Sequence, residues 1–165
     1  MKKRVLSLLV DNTSGVLSRV AGLFSRRGYN IDSLTVGETA DPRYSRMTVV
    51  VYGDELILDQ ITKQLAKLVD VVDIKRLAEG ESVTRELVLV KVRVDKANRQ
   101  DVMSIANVFR ANIIDVGIDS LIIELTGTQS KIEAFIKLLE EYEILELART
   151  GITGLSRGAE DVRYL

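Results

Sequence analysis

The chain of 165 residues contains no cysteine and no histidine. Without cysteine there is no disulfide bond and no thiolate nucleophile. Without histidine the chain lacks the commonest general base and the imidazole ligands of metal sites. Enzyme classes that depend on a thiol or an imidazole are therefore excluded, and only carboxylates, lysine and tyrosine remain as catalytic groups.

Charge and hydropathy exclude two further classes of protein. The formal net charge is -1, whereas nucleic-acid-binding domains have a strongly basic face, so we expect no nucleic-acid partner. No apolar stretch is long enough to span a membrane. The basic start Lys2–Arg4 is not followed by an apolar run and a small-residue cleavage site. We therefore predict no secretory signal, no membrane contact and a cytoplasmic protein.

Apolar residues in the first half recur with the periods of strands and helices, in the order β-α-β-β-α-β. This order is the split unit of ferredoxin-like folds, in which two helices cover one face of an antiparallel sheet. The first strand is apolar on both faces, so we expect another domain or subunit to cover the second face. The four strands are predicted at Arg4–Val10, Asn30–Val36, Ser45–Tyr52 and Val71–Leu77. The two helices are predicted at Gly15–Arg27 and from about Asp54 onwards.

The pattern repeats after a short polar segment, Ala78–Val83, which is predicted to be a linker. We therefore predict an α+β protein of two tandem ferredoxin-like βαββαβ units, with domains at 1–78 and 84–165. The second domain ends in a glycine-rich segment that is expected to be a flexible tail. Its strands are predicted at Glu86–Val94, Ile113–Ile118, Leu121–Leu125 and Ile144–Ala148. Its first helix is predicted at Asp101–Arg110, and its second begins where Ser130 and Glu133 have the spacing of a capping box.

The turn between the first strand and the first helix, Asp11–Leu17, is the strongest candidate for a binding site. Asn12, Thr13 and Ser14 are N-cap residue types, and Gly15 allows a ligand to approach the backbone closely. Free N–H groups at a helix start favour an anion such as a carboxylate. Most such helix starts bind only water, so the pattern alone leaves both readings open. The second half has no glycine at the corresponding turn, which places any such site in the first half.

Two motifs suggest chemistry that the rest of the chain does not support. Gly154–Gly158 matches G-x-S-x-G, the nucleophile elbow of serine hydrolases, but no helix pattern follows it and there is no histidine to accept the serine proton. Four glutamates between Glu140 and Glu146 lack the glycine-bearing spacing of a calcium loop. A solvated acidic surface is the simpler interpretation.

Several stretches together resemble one family along nearly the whole chain. Asp11–Leu17 followed by Gly28–Ile31 resembles an ACT domain, the amino-acid-sensing module. The full set is similar to the regulatory small subunit of acetolactate synthase, also called acetohydroxyacid synthase. The further stretches are Leu23–Leu34, Ser45–Thr48, Lys67–Val71 and Gly154–Gly158.

This resemblance implies a subunit without a catalytic site or a cofactor of its own. It implies a partner, the catalytic large subunit, which carries thiamine diphosphate, FAD and a magnesium ion. The small subunit of this family raises the activity of the large subunit and makes it sensitive to feedback inhibition, usually by valine, in branched-chain amino-acid biosynthesis.

The resemblance also implies a homodimer with an effector site between two chains. The carboxylate of the effector would bind the main-chain N–H groups of Gly15, Val16 and Leu17, and Asn12 would contribute a polar side chain. Asn30 and Ile31 of a neighbouring chain would complete the pocket, with Asn30 as a polar contact and Ile31 against the effector side chain.

Two alternatives remain open at this stage. The chain could be a stand-alone amino-acid sensor that controls another enzyme or a regulator. It could also be a small enzyme of ferredoxin-like fold that uses carboxylates or Tyr52. Binding to a thiamine-diphosphate-dependent large subunit distinguishes the first alternative, and turnover by the purified chain alone would favour the second.

Overall fold

The computed structural model describes residues 2–159, which divide into two compact units. The first unit contains residues 2–84 together with 152–159, and the second contains residues 85–151. Both are α+β, as predicted. Within the described residues, no helix is long and apolar enough to cross a membrane.

The first unit has the predicted βαββαβ order, followed by one strand from the end of the chain. Its four-stranded sheet has the order β2-β3-β1-β4, so β2 and β4 are its edges, and the paired strands are antiparallel. Its elements are β1 (Lys2–Asp11), α1 (Val16–Arg26), β2 (Ile31–Glu38), β3 (Tyr44–Gly53), α2 (Glu55–Ala66), β4 (Val71–Arg76) and β9 (Thr153–Ser156).

Alternate residues of the central strands build the core of this unit against the two helices. Leu6 and Leu8 of β1, with Val49 of β3, are completely buried beneath α1 and α2. Phe24 and Ile61 fill the same core from the helices and are at most 1% exposed. The helices are amphipathic, and burial of these apolar side chains is the main term that holds them on the sheet.

The second unit repeats this plan with a sheet of order β6-β7-β5-β8 and its own core. Its helix N-cap corrects one expectation: α4 begins after Thr128, which accepts a hydrogen bond from the Lys131 N–H, and not at Ser130. Its elements are β5 (Ser82–Arg93), α3 (Arg99–Val108), β6 (Asn112–Val116), β7 (Ser120–Gly127), α4 (Gln129–Leu139) and β8 (Ile144–Arg149).

The end of the described chain differs from the expected flexible tail. Residues 152–159 group with the first unit, although the sequence placed them in a domain at 84–165. β9 contacts β3 and pairs with β5, whose first residues, 82–84, belong to the same unit. The predicted linker therefore ends earlier, because Ser82 and Val83 already extend as strand. The returning segment also supplies part of the cover that was expected on the second face of the first sheet.

Candidate functional site

The first helix begins without a side-chain cap. Its N-cap is Gly15, with φ 85° and ψ -9°, a left-handed conformation that glycine adopts without steric cost. The expectation that Asn12, Thr13 or Ser14 is the N-cap residue was wrong, because the helix starts after them. No acidic residue lies in the first turn of α1. The positive end of the helix dipole is therefore not neutralised by an acid of its own first turn.

Two other helices of the described chain, α2 and α4, begin with a side-chain cap from their own sequence. Asp54 caps α2, and Thr128 caps α4, each through its side chain. Before α3, the Asp95 carboxylate accepts hydrogen bonds from the N–H groups of Ala97 at 2.8 Å and Asn98 at 3.0 Å. The turn before α3 is thus closed by an internal carboxylate, although no side chain caps the helix itself, whose first residue is Arg99.

Arg19 adds a positive charge beside the start of α1. Its Nε donates to Oδ2 of Asp70 at 2.6 Å and its Nη2 donates to Oδ1 at 3.2 Å. The third guanidinium nitrogen, Nη1, lies 2.8 Å from the position that a Cβ on Gly15 would occupy. The hydrogen bond from Arg19 to Asp70 raises the pKa of Arg19, so the group remains charged. A cation held at the positive end of a helix makes this turn electrostatically suited to an anion.

The sequence pattern did not indicate Arg19 as a site residue. Arg19 stands four positions after Gly15, so it lies one turn along the helix, and this spacing was the available signal. Its partner Asp70 precedes β4, and the Asp70 carbonyl also accepts a hydrogen bond from the Asp11 N–H at 2.9 Å. The contact joins residues 51 positions apart, which periodicity along the chain does not reveal.

Asn12 faces the loop between β2 and β3. Its Nδ2 donates to the Pro42 carbonyl at 2.9 Å and to Oε2 of Glu38 at 3.4 Å. Its main-chain N–H donates to the Arg43 carbonyl at 2.8 Å. The donor side of the amide is therefore engaged within the chain, and Oδ1 is the atom that remains suited to accept from an ammonium group.

Val16 and Leu17 have different side-chain environments. Val16 is 4% exposed and belongs to the core, whereas Leu17 is 48% exposed. The side chain of Val16 is therefore unavailable to a ligand, and only its main-chain N–H could reach one. Leu17 combines a main-chain donor with an exposed apolar side chain.

Asn30 and Ile31 lie at the other end of the sheet. Ile31 pairs with Val51, which in turn pairs with Arg4 near the start of β1. Glu38, at the opposite end of β2, is in the row of Val10, close to the helix start. At about 3.4 Å per residue, the two ends are roughly 20 Å apart. One chain therefore brings Asn12, Gly15, Val16 and Leu17 together but leaves Asn30 and Ile31 distant.

A local turn holds Asn30 at its position. After α1, the Tyr29 N–H donates to the Phe24 carbonyl at 3.0 Å and the Gly28 N–H to the Ser25 carbonyl at 3.2 Å. Gly28 has φ 69°, so this is the glycine-terminated helix end that the sequence predicted. Asn30 itself is exposed, as a residue that contacts a second chain must be in the isolated chain.

The alternative chemistries find no corresponding arrangement among residues 2–159. Ser156 ends β9 and is followed by a bend rather than a helix, so the strand-turn-helix of a nucleophile elbow is absent there. No group of acidic side chains in this part of the chain could hold a metal ion. Tyr52 lies on β3 with the Lys3 ammonium 5.4 Å from its ring centroid.

Comparison with known proteins matches both halves of the chain. Residues 6–73 match the family model of the AHAS small subunit-like ACT domain, and residues 85–158 match that of the small subunit of acetolactate synthase. A "Probable acetolactate synthase small subunit" of Methanothermobacter thermautotrophicus is 48% identical over 156 residues, covering 94% of this chain and 93% of the relative.

Two further relatives cover almost the full length. The "Acetolactate synthase isozyme 3 small subunit" of Salmonella typhimurium is 49% identical over 162 residues, which are 98% of this chain and 99% of that protein. The crystal structure of the acetolactate synthase small subunit from Thermotoga maritima superimposes with a TM-score of 0.90 at 43% identity, covering 96% of this chain and 99% of the other. The chain therefore belongs to the family of acetolactate synthase small subunits, the regulatory subunits of that enzyme.

Proposed function

We propose that this chain binds the catalytic large subunit of acetolactate synthase, activates it and makes it sensitive to feedback inhibition by valine. The large subunit would supply the thiamine diphosphate, FAD and magnesium, and this chain would supply no catalytic group. Membership of the small-subunit family supports the partner. The observation that supports the effector site is the start of α1, where a left-handed Gly15 and the Arg19 guanidinium lie together.

Each part of an α-amino acid has a counterpart at this helix start. The carboxylate would accept hydrogen bonds from the N–H groups of Gly15, Val16 and Leu17, with Arg19 beside it. The ammonium would donate to Oδ1 of Asn12. A small aliphatic side chain would contact the exposed side chain of Leu17 and Ile31 of the neighbouring chain.

The neighbouring chain enters through the edge strand β2. We propose that β2 pairs with β2 of a second copy in antiparallel orientation across a two-fold axis. This arrangement brings Ile31 of one chain towards the Glu38 end of the other, which is the end near Gly15. Asn30 and Ile31, which are roughly 20 Å from the helix start within one chain, would then complete the pocket from the neighbouring chain.

The two units would have separate roles. Effector binding would belong to the first unit, and the second unit would contribute to contact with the large subunit or to the dimer. A difference between the two turns supports this division: Gly15 is left-handed at the start of α1, whereas the N–H groups of Ala97 and Asn98 before α3 already donate to the Asp95 carboxylate.

The proposal is tested by calorimetry on the purified chain, followed by inhibition assays on the holoenzyme reconstituted with its large subunit. L-Valine, L-leucine and L-isoleucine rank the side-chain preference. L-Valinamide is the sharpest control, since it keeps the ammonium and the side chain but lacks the carboxylate. We expect valine to bind and inhibit, and valinamide to do neither. Equal binding of the two compounds would show that the carboxylate of the effector is not needed for binding. Failure of the chain to bind the large subunit would favour a stand-alone sensor.

A further inference from the structure

The returning segment Ile152–Arg157, here called the strap, is seated closely on the first unit. The side chain of Ile152 is 5% exposed, and its carbonyl accepts a hydrogen bond from Oγ1 of Thr35 at 3.3 Å. The Arg157 N–H donates to the Glu81 carbonyl at 2.8 Å. The strap is therefore held at both ends by residues of the first unit.

The strap packs most closely against the first unit at Gly154. A Cβ at this position would lie 2.8 Å from Cγ2 of Thr84, 2.9 Å from the carbonyl oxygen of Val83 and 3.1 Å from Cδ1 of Leu77. One of these neighbours is main chain and cannot rotate away. Glycine is therefore required by the close approach, and any larger residue must lift the strap or move the strand beneath it.

The strap contacts the same edge strand on which the proposed dimer depends. Thr35 lies in the middle of β2 and pairs with Thr48 of β3, on the face of the sheet opposite the helices. β9 contacts β3 directly. Among residues 2–159, β2 is an edge strand that pairs with β3 alone, so the contact with the strap on the helix-free face adds a restraint that its second edge does not provide.

We propose that the strap controls homodimer formation and the response to the effector, because it holds β2 in place from the face of the sheet opposite the helices. This inference rests on the proposed function, and it adds a dependence on residues that lie neither at the helix start nor on the outer edge of β2. The chain passes from β8 to the strap through Thr150 and Gly151 alone. Strain on the second unit therefore has a short covalent route to β2.

The test uses the full-length chain with graded strap variants. Thr35→Val removes the hydrogen bond to Ile152 and keeps the side-chain shape. Its matched control is Thr62→Val, which removes the Oγ1 hydrogen bond to the Leu58 carbonyl within α2. The stronger variant, Ile152→Asp with Gly154→Val, places a charge and excess volume in the seat and should release the strap.

Three measurements follow each variant: hydrogen exchange of β2 and β9, dimer dissociation by sedimentation, and the valine concentration for half inhibition of the reconstituted holoenzyme. For the strong variant we expect faster exchange in both strands, and a dimer dissociation constant and an inhibitory concentration each raised at least about tenfold. Thr35→Val should shift all three in the same direction by less, and Thr62→Val should leave β2 unchanged.

Release of β9 with unchanged exchange in β2 and unchanged dimerisation would overturn the inference. If the strong variant also loses protection in α1 and α2, the first unit has unfolded. The inference is then decided by comparing the exchange of β2 in Thr35→Val with that in its control, Thr62→Val. A wild-type chain that neither dimerises nor responds to valine would instead refute the proposed function. The exchange of β2 would still show whether the strap restrains this strand, since that readout needs neither a dimer nor an effector.

Discussion

Replacing Gly15 by aspartate is the most direct perturbation of the proposed effector site. The new carboxylate would lie on the helix start and beside Arg19, where the carboxylate of valine is proposed to bind. It would place an internal anion next to the main-chain N–H groups that are proposed to bind the effector. We expect Gly15→Asp to abolish valine inhibition and to leave activation of the large subunit largely intact.

The magnitude follows from the geometry of this turn. At φ 85° a residue with a Cβ pays about 1–2 kcal/mol in stability relative to glycine. The Cβ must also displace Nη1 of Arg19 from 2.8 Å. This loss is small against the roughly 5–15 kcal/mol that stabilises a typical domain. Each lost hydrogen bond to a charged carboxylate removes about 1.5–3 kcal/mol, so losing two weakens valine binding by at least about a hundredfold.

Two variants separate charge from backbone strain. Gly15→Ala has the same Cβ and the same left-handed strain but no carboxylate, so it should weaken valine binding less than Gly15→Asp. Gly22→Ala lies within α1 with no atom within 4 Å of its added Cβ and should change neither binding nor inhibition. Reconstituted inhibition curves, calorimetry and thermal unfolding are measured for all three. A Gly15→Asp holoenzyme inhibited at the wild-type valine concentration would show that the carboxylate does not bind at this helix start.

Three further predictions concern the surroundings of the site. Arg19→Gln should raise the dissociation constant for valine in calorimetry. Asp70→Asn should raise it less, because this change loosens the guanidinium without removing it. Equal binding by both variants and the wild type would exclude Arg19 from the effector site. Asn12→Ala should weaken valine binding and also speed hydrogen exchange in the loop between β2 and β3, since its side-chain hydrogen bonds end at Pro42 in that loop and at Glu38 just before it; a binding defect with unchanged exchange would limit Asn12 to ligand contact. Valine binding should be constant between about pH 6 and 8, because the chain has no histidine and Arg19 has a raised pKa; a titration of binding in this range would require another ionising group.

Local sequence patterns predicted most of the architecture. The near-continuous apolar runs of β1 and β3 placed the central strands of the first sheet, because a strand that is covered on both faces has apolar residues on both. Gly28 predicted the end of α1, since the hydrogen bonds of that helix end all lie within a few residues. The start of α4 was misplaced because Thr128 and Ser130 are both good N-cap types, and the apolar face alone does not choose between them.

The missed features are long-range contacts between residues that carry no local signal. Arg19 and Asp70 form an ion pair across the first unit, and neither residue type predicts its partner. Gly154 was interpreted as part of a flexible tail, because glycine is equally expected in a loop and where two backbones approach closely. The structure distinguishes these by the position of Val83 and Thr84 beneath it. A fragment that ends near Gly80 would therefore lack the strap.

The start of α3 provides the converse of the Gly15 experiment. Asp95 accepts the N–H groups of Ala97 and Asn98 through its side chain, and its carbonyl accepts that of Arg99 at 3.0 Å. If this internal carboxylate only stabilises the turn, Asp95→Ala should lower the stability of the second unit by about 0.5–1.5 kcal/mol, as loss of a typical hydrogen-bonding side chain does. It should leave the affinity for valine unchanged, since effector binding is proposed for the first unit. Asp115→Ala, at an exposed position on β6, is the control for loss of one negative charge. Denaturant unfolding and calorimetry on both variants decide the matter: a second valine bound per chain in Asp95→Ala alone would mean that the two helix starts are equivalent sites and that Asp95 closes one of them.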